Sequence, residues 1–339
     1  MKKILFITDV PSFYKVNLYN ELQKEMELEV VFLVNKSDWR RTSDFYAKEM
    51  NFKVTEFVDS SEFAKILAVA KILMSNKYDR IVYTGWSKLI FILFSIFTSK
   101  NKNCTVIESS YIESETSGLK AIIKRMFLSR ISRAYVSGES QKKLAEQLHF
   151  KGDIIKTYGV GIMNYTEQPQ YRERSEVSRF IYVGRLSPEK NLEFLINYFN
   201  QHPELKLTIV GFGPQEKELK RLAKANINFS GAIENKQLPA VYQVHDVFIL
   251  PSKSEPWGLV VEEALNNGLP CIVSDKVGCA EEIIKHDENG YTFELRSTAS
   301  LDKVVKSVCN CEKYNKMSRF ISQTDINSLK RKQAEAYLQ

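Results

Sequence analysis

The sequence predicts an α/β protein made of two doubly wound parallel sheets, and three observations carry that prediction. Short runs rich in Val, Ile, Phe and Tyr recur without strict alternation, as in strands covered on both faces. Helix-length segments separate these runs, so the order is β-α-β from end to end. Between the halves lies Tyr158–Ser178, YGVGIMNYTEQPQYRERSEVS, a stretch with glycines, a proline, several charges and no clean period. The 339 residues suffice for two domains. The expected boundaries are 1–163 for the first domain, 164–315 for the second, and 316–339 for a C-terminal helix that packs back on the first.

The elements follow in order. The first strand is Ile4–Thr8; Asp9 interrupts the apolar run, which is too short for a secretory signal. A helix over Tyr14–Glu25, a strand over Glu29–Leu33, a helix over Glu62–Ser75 and a strand over Arg80–Tyr83 come next. Leu89–Thr98, LIFILFSIFT, has about half the length needed to span a bilayer and reads as a buried helix. Strands Thr105–Ile107 and Ala134–Val136 and helix Ser140–Leu148 complete the first half. In Leu119–Ser137, residues Leu119, Ile122, Ile123, Met126 and Phe127 have helical spacing, amid Lys120, Lys124, Arg125, Arg130 and Arg133. Arg130 and Arg133 fall on the apolar side of the helical wheel, so a core helix with basic flanks and a membrane-surface helix both stand. The second half contributes strands Arg179–Val183, Lys206–Val210, Asn228–Phe229, Val247–Leu250 and Cys271–Val273, with helices Leu192–Asn200 and Gln215–Ala225.

With 44% apolar and 26% charged residues, the composition is that of an ordinary globular protein. Its five cysteines are odd in number and irregularly spaced, without the paired CxxC of a metal site. They read as reduced thiols in a cytosolic protein. Residues 1–165 hold 25 Lys and Arg against 18 Asp and Glu, while residues 166–339 hold 23 of each, so the whole excess of +7 sits in the first half. That excess fits a solvated basic surface or an anionic partner: a membrane, a phosphate-bearing substrate or nucleic acid. No helix-turn-helix, RRM or zinc-finger signature supports the last.

Residues 254–275, SEPWGLVVEEALNNGLPCIVSD, read as a loop, a helix opened by Gly258 and closed by Gly268, and a strand. Glu255 lies on the loop at the carboxyl edge of the sheet, and Glu263 about one turn into the helix. A carboxylate beside the free N–H groups of a helix start suits a polyhydroxylated ligand: the acid accepts from hydroxyls and the amides donate to oxygens. An ordinary solvated helix is the alternative. In IYVGRLSPEKNL, residues 181–192, a strand ends at Gly184, which permits close backbone approach. Arg185 and Lys190 flank the following turn, where two cations can converge on one anion such as a diphosphate. TIVGFGPQEKEL, residues 208–219, adds a second glycine turn after a strand.

Together these pieces resemble the retaining glycosyltransferases of family 4, which have the GT-B fold. The matching segments occur in the family's order over residues 179–294: FIYVGRLSPEKNLEFLI, LTIVGFGP, FSGAI, VYQVHDVFILPS, SEPWGLVVEEALNNGLPCIVSDKVGCAEEI and NGYTF. Glu255 and Glu263 stand in the frame of the family's E-x7-E pair. The family commonly has Phe where this chain has Trp257, and an apolar residue where it has Glu262.

The resemblance implies two Rossmann-like domains with a cleft between them, and a nucleotide-sugar donor, most simply a UDP-sugar. It implies that Glu255 bonds the sugar hydroxyls, that the backbone at Trp257, Gly258 and Leu259 contacts sugar and phosphate oxygens, and that Glu263 binds the ribose diol. Ile233 would meet the base through its backbone. Arg185 and Lys190, next to Gly184, would grip the diphosphate and stabilise the leaving group, with no cofactor and no metal required; the chain contains no DxD. On the acceptor side the match is loose. The first loop, Asp9–Asn17, has no glycine pair, and no histidine stands where many members have one. The expected acceptor residues are Ser12, Lys15, Gly85, Glu108 and Ser109. The acceptor expected is a glycan, one carried on a polyprenyl diphosphate above all, in cell-surface polysaccharide synthesis. The protein would then be cytoplasmic and peripheral on an anionic membrane, bound in a salt-sensitive way by Lys120, Lys124 and Arg125 first and Lys15 second. A non-hydrolysing nucleotide-sugar epimerase of the same fold, a sugar-binding module without turnover and a nucleic-acid-binding protein are the rival readings.

Overall fold

The computed structural model describes all residues other than 35–44, 48, 59, 76 and 165–167, so three residues of the predicted linker lie outside the described residues. It contains two compact units: Met1–Asn164 with Asn327–Gln339, and Tyr165–Ile326.

The first unit runs β1 (Lys3–Thr8), α1 (Phe13–Leu22), β2 (Glu27–Val34), β3 (Lys53–Val58), α2 (Glu62–Ser75), β4 (Arg80–Tyr83), α3 (Leu89–Phe97), β5 (Asn103–Ile107), α4 (Gly118–Ser129), β6 (Arg133–Val136), α5 (Glu139–Gln147) and β7 (Asp153–Lys156). The strands form one sheet in the order β3-β2-β1-β4-β5-β6-β7, parallel throughout. Successive residues of β1 serve opposite faces, as the pleat requires. Leu5 and Ile7 join a core with Val69 of α2, Phe91 of α3, Phe127 of α4 and Leu144 of α5. Phe6 instead meets Tyr19 of α1 and Tyr337 of the C-terminal helix Ile326–Leu338, with ring centroids 4.8 and 5.9 Å away. Tyr135 stacks on Tyr337 at 4.4 Å, and the Arg80 guanidinium donates to the Tyr337 carbonyl at 3.3 Å. Burying aromatic surface of this size holds the terminal helix on the first sheet.

The second unit runs β8 (Arg179–Val183), α6 (Leu192–Asn200), β9 (Lys206–Val210), α7 (Glu216–Leu222), β10 (Ile227–Gly231), α8 (Leu238–Gln243), β11 (Val247–Leu250), α9 (Leu259–Asn266), β12 (Cys271–Ser274), α10 (Ala280–Ile283), β13 (Gly290–Phe293), α11 (Thr298–Cys309) and α12 (Cys311–Gln323). Its sheet, again parallel, has the order β10-β9-β8-β11-β12-β13. Asp246, 1% exposed, anchors the chain entering β8: it accepts from Arg174 Nε at 2.9 Å, from Arg179 Nη2 at 2.8 Å and from the Arg179 backbone N–H at 3.0 Å. Five donors satisfy this buried carboxylate, counting Arg179 Nε and the Ser178 amide.

Several expectations need correction. The return to the first unit begins at Asn327, not 316, because α12 buries Tyr314, Met317 and Ile321 within the second unit. The basic helix ends at Ser129; Arg130 caps it and Arg133 opens β6, so neither belongs on its wheel. LIFILFSIF is a helix, yet only part of it is buried: Leu89, Ile96 and Phe97 are exposed. All five cysteines are free. Burial pushes the Cys104 thiol up to about 11.

Candidate functional site

Both candidate regions form where the strand order reverses. At such a point two connections diverge and leave a crevice beyond the carboxyl ends of the strands. In the second unit the reversal lies between β8 and β11. The loop after β8 carries Gly184, Arg185 and a 3-10 turn, Pro188–Lys190; the loop after β11 carries Glu255. Lys190 and Glu255 reach across the reversal and form an ion pair, with side chains only 14% and 15% exposed. The Lys253 amide donates to the Glu189 carbonyl at 2.7 Å and ties the two loops together. Ser187 Oγ donates to the Glu189 carboxylate at 2.5 Å. Burial opposes ionisation of Glu189, but this hydrogen bond and the nearby Lys190 and Arg185 charges outweigh it and lower its pKa. Arg185 is exposed on the same loop, its carbonyl accepting from Tyr182 Oη at 2.9 Å.

Glycine permits this packing. A Cβ at Gly211 would lie 1.9 Å from the Gly184 carbonyl oxygen, and one at Gly213 would lie 2.3 Å from that of Leu186. The loops after β8 and β9 therefore touch backbone to backbone, joined by the Leu186 amide donating to the Phe212 carbonyl at 2.9 Å. Glu255 is backed in turn by the loop after β12: the Gly278 amide donates to its carbonyl at 2.8 Å.

Gly258, with φ of 101°, immediately precedes α9, and no side chain caps the helix. The first-turn amides there are donors suited to ligand oxygens. Leu259 is the first residue of the helix. Glu263, half-buried, accepts from Tyr242 Oη of α8 at 3.3 Å. Ile233, half-exposed, follows β10 on the same sheet edge. The two departures from the family's usual pattern touch each other: Trp257 Nε1 donates to Glu262 Oε1 at 2.5 Å, with both residues buried. A polar indole where a phenyl ring is common is matched by a carboxylate where an apolar side chain is common.

In the first unit the order reverses between β1 and β4. An ion pair bridges this point too: Asp9, after β1, meets Lys88, after β4, at 3.4 Å. Burial raises the Asp9 pKa against the pull of Lys88 and Lys15. Lys15, in the first turn of α1, pairs with Glu108, after β5, at 2.9 Å. Its side chain is 11% exposed; burial disfavours its charge, but Glu108 outweighs this and raises its pKa. The structure thus joins Lys15 to Glu108, and it takes Lys15 away from any membrane-facing surface. Ser12, Gly85 and Ser109 lie on neighbouring loops of the same edge, after β1, β4 and β5. The hydroxyls of Ser12, Ser110 and Ser137 are buried without a hydrogen-bond partner.

Sequence reasoning singled out Ser110 beside Glu108 and Ser109 but missed Asp9, Lys88, Ser137 and Tyr242. The first three of these share a readable signal, a polar residue within five positions of a strand's carboxyl end. Tyr242 carries none, since it sits mid-helix. Among the described residues, no group of three or more His, Cys, Asp or Glu side chains is gathered closely enough to hold a metal.

Residues 164–325 match the family model described as glycosyl transferases group 1. The sulfoquinovosyl transferase SQD2 of Arabidopsis thaliana is 32% identical over 162 residues, 44% of this chain and 32% of that one. The O-antigen biosynthesis glycosyltransferase WbnH of Escherichia coli is 25% identical over 291 residues, 82% of this chain and 81% of that one. The solved structure of Anabaena HepE in complex with UDP matches with a TM-score of 0.74 at 16% identity, covering 100% of both chains. The fold is GT-B. The chain spans less than two thirds of the length of the first curated relatives it matches. These comparisons do not favour the epimerase or the nucleic-acid reading.

Proposed function

We propose that this GT-B protein is a glycosyltransferase that moves a hexose or N-acetylhexosamine from a nucleotide-sugar to a hydroxyl of a glycan. The observation that carries the reading is the Lys190–Glu255 pair spanning the strand reversal, inside a segment that matches a glycosyltransferase family model. The donor is a UDP-sugar; the UDP bound in the structurally similar HepE supports that choice. The acceptor is a lipid-linked glycan of a cell-surface polysaccharide, in keeping with the O-antigen role printed for WbnH. The membrane carrying such an acceptor would be the protein's partner on its cytoplasmic side.

In this reading Glu255 accepts hydrogen bonds from the sugar's hydroxyls, the amides at Trp257, Gly258 and Leu259 meet sugar and phosphate oxygens, and Glu263 holds the ribose. Lys190 and Arg185 offset the charge that grows on the diphosphate as the bond from the anomeric carbon to its oxygen breaks. Such stabilisation of developing charge contributes about 3–4 kcal/mol per group. The acceptor hydroxyl attacks the same face, and its proton passes to the departing phosphate oxygen. Configuration is retained and no protein nucleophile is needed. The two cations take the place a metal has in other transferases. Ser12, Lys15, Gly85, Glu108 and Ser109 form the acceptor side.

A thermal-shift screen with UDP-, GDP- and ADP-sugars tests the reading. A ligand at about a hundred times its Kd stabilises the native state by about 2.7 kcal/mol, a readable rise in Tm. A UDP-sugar is expected to raise Tm, and the same sugar is expected to be transferred in the presence of EDTA. No shift with any nucleotide-sugar would overturn the donor assignment. Activity lost in EDTA and restored by Mn²⁺ would overturn metal independence.

A further inference from the structure

Three helices on one face of the first sheet reverse the usual amphipathic arrangement. A surface helix ordinarily turns its charged stripe to water. Here α2 exposes Phe63, Leu67 and Met74, four and seven residues apart along one stripe. On the same core, α3 exposes Leu89, Ile96 and Phe97. Next to α3, α4 exposes Leu119, Ile122, Ile123 and Met126, at the i, i+3, i+4, i+7 spacing of one helical side. These ten side chains are 42–82% exposed, while the opposite stripes of the same helices fill the core around Phe91 and Phe127. Scattered exposed apolar residues are normal; ten of them aligned on three helices that pack on one core mark an interaction surface.

We propose that the outer face of α2, α3 and α4 docks on an anionic phospholipid bilayer by inserting these apolar side chains. The inference takes its partner from the membrane part of the reading above, but nothing from the transfer chemistry. Charge selects the occupant. Of the five Lys and Arg on the three helices, Lys65 is buried and paired with the one acid, Glu62, at 3.1 Å; the other four, Lys71, Lys120, Lys124 and Arg125, are at least partly exposed. Lys71 and Lys120 are exposed beside the apolar stripes, and Lys124 stands over the Trp86 ring at 5.6 Å. A twofold pairing of two copies would set one basic surface against another, whereas anionic headgroups neutralise both the exposed lysines and their neighbours.

The mode differs from a purely electrostatic one. Lys120 is paired with Glu115 at 3.0 Å, Lys124 donates to Ser114 Oγ at 2.8 Å, and Arg125 donates to the Thr116 carbonyl at 3.0 Å. The cations expected to lead are thus tied to the loop before α4, and the apolar side chains supply the larger part of the binding. Among the described residues no helix is long and apolar enough to cross a membrane, so docking is peripheral.

Vesicle co-sedimentation with phosphatidylcholine alone and with added phosphatidylglycerol tests this, using the whole chain. Salt at about 0.1 M and about 1 M gives Debye lengths of about 10 and 3 Å. The protein is expected to bind the anionic vesicles and to keep a measurable bound fraction at high salt. Leu119→Gln/Ile122→Gln/Met126→Gln preserves helix propensity and should lower partitioning about tenfold or more at both salts. Lys71→Ala/Lys120→Ala should cost about fivefold per residue at low salt and little at high salt. Circular dichroism checks that each variant is folded. A glutamine variant that binds like the parent overturns the proposal. So does a parent that ignores both vesicle types, or one that instead forms a dimer dissolved by the glutamine changes. Transfer to a water-soluble acceptor is expected to be unaffected in these variants; its absence in the parent would count against the transferase reading alone.

Discussion

Removing the indole N–H of Trp257 tests how the loop between Glu255 and Gly258 is held. Trp257→Phe keeps an aromatic ring but takes one donor from Glu262, which is 4% exposed. A hydrogen bond to a charged group contributes about 1.5–3 kcal/mol, and a buried acceptor left short of partners costs about 1–3 kcal/mol. The smaller ring also leaves a void that adds to the loss. The expected destabilisation is about 2–4 kcal/mol. Glu262→Leu removes the carboxylate and orphans the indole N–H, for a loss of about 1–3 kcal/mol. In the double variant neither polar group is stranded, so its loss should fall below the sum of the single losses by about 1.5–3 kcal/mol. Urea unfolding followed by far-ultraviolet circular dichroism measures all three variants, with the transition of each unit fitted separately. Calorimetry with a UDP-sugar should show the single variants weakening donor binding and the double variant restoring part of it. Single losses that add to within about 0.5 kcal/mol would refute the idea that the two residues act as a pair.

Three further outcomes are expected. Lys190→Ala and Arg185→Ala should each lower kcat about 100-fold or more. Glu255→Gln should abolish transfer with nucleoside diphosphate binding nearly intact, and Glu263→Gln should weaken that binding; equal losses of affinity, read by calorimetry, would contradict the separate roles. Asp246 should make the second unit acid-sensitive. Burial pushes its pKa up from 3.8, but hydrogen bonds from Arg179 and Arg174 prevail and hold it lower. The stability it adds is therefore fully present above its ordinary pKa and lost as pH falls through the lowered folded value. Asp246→Asn should cost about 2–4 kcal/mol at neutral pH, and its midpoint should fall less steeply than the parent's below pH 3.8, as thermal melts across that range would show.

The GT-B architecture was legible because its central strands are apolar on both faces; β1, β4, β8 and β11 were each placed to within a residue or so. Edge strands hid themselves. In β3, KVTEFV, and β7, DIIK, exposed and half-exposed residues leave no buried run to read. The readable repeat Leu301, Val304, Val305 and Val308 of α11 was passed over, and the single C-terminal helix expected over 316–339 is in fact the end of α12 and a separate helix, Ile326–Leu338. At the site, the E-x7-E spacing and the turn after Gly184 revealed the residues but not the bond between Lys190 and Glu255. Sixty-five residues separate the two, and only the sheet order makes them neighbours. The partnership of Trp257 and Glu262 showed in the sequence as two unrelated departures, because hydrogen bonding across a loop leaves no periodic trace. The exposed side chains of α3 were misread as buried, since a run that is apolar on every side does not say which side the core lies on.

The contact of Gly211 and Gly213 with the loop after β8 bears on how this site can be re-engineered. Grafting residues 184–190 from a related protein, without the turn that supports them, would set the new loop on a surface shaped for another backbone. Any side chain at 211 or 213 would shift that loop, and with it the Lys190 ammonium. The exchangeable module is therefore the pair of segments 184–190 and 211–213, although twenty residues lie between them in the chain. Library design that diversifies Ile233, beyond both loops, leaves that module whole and changes what it presents.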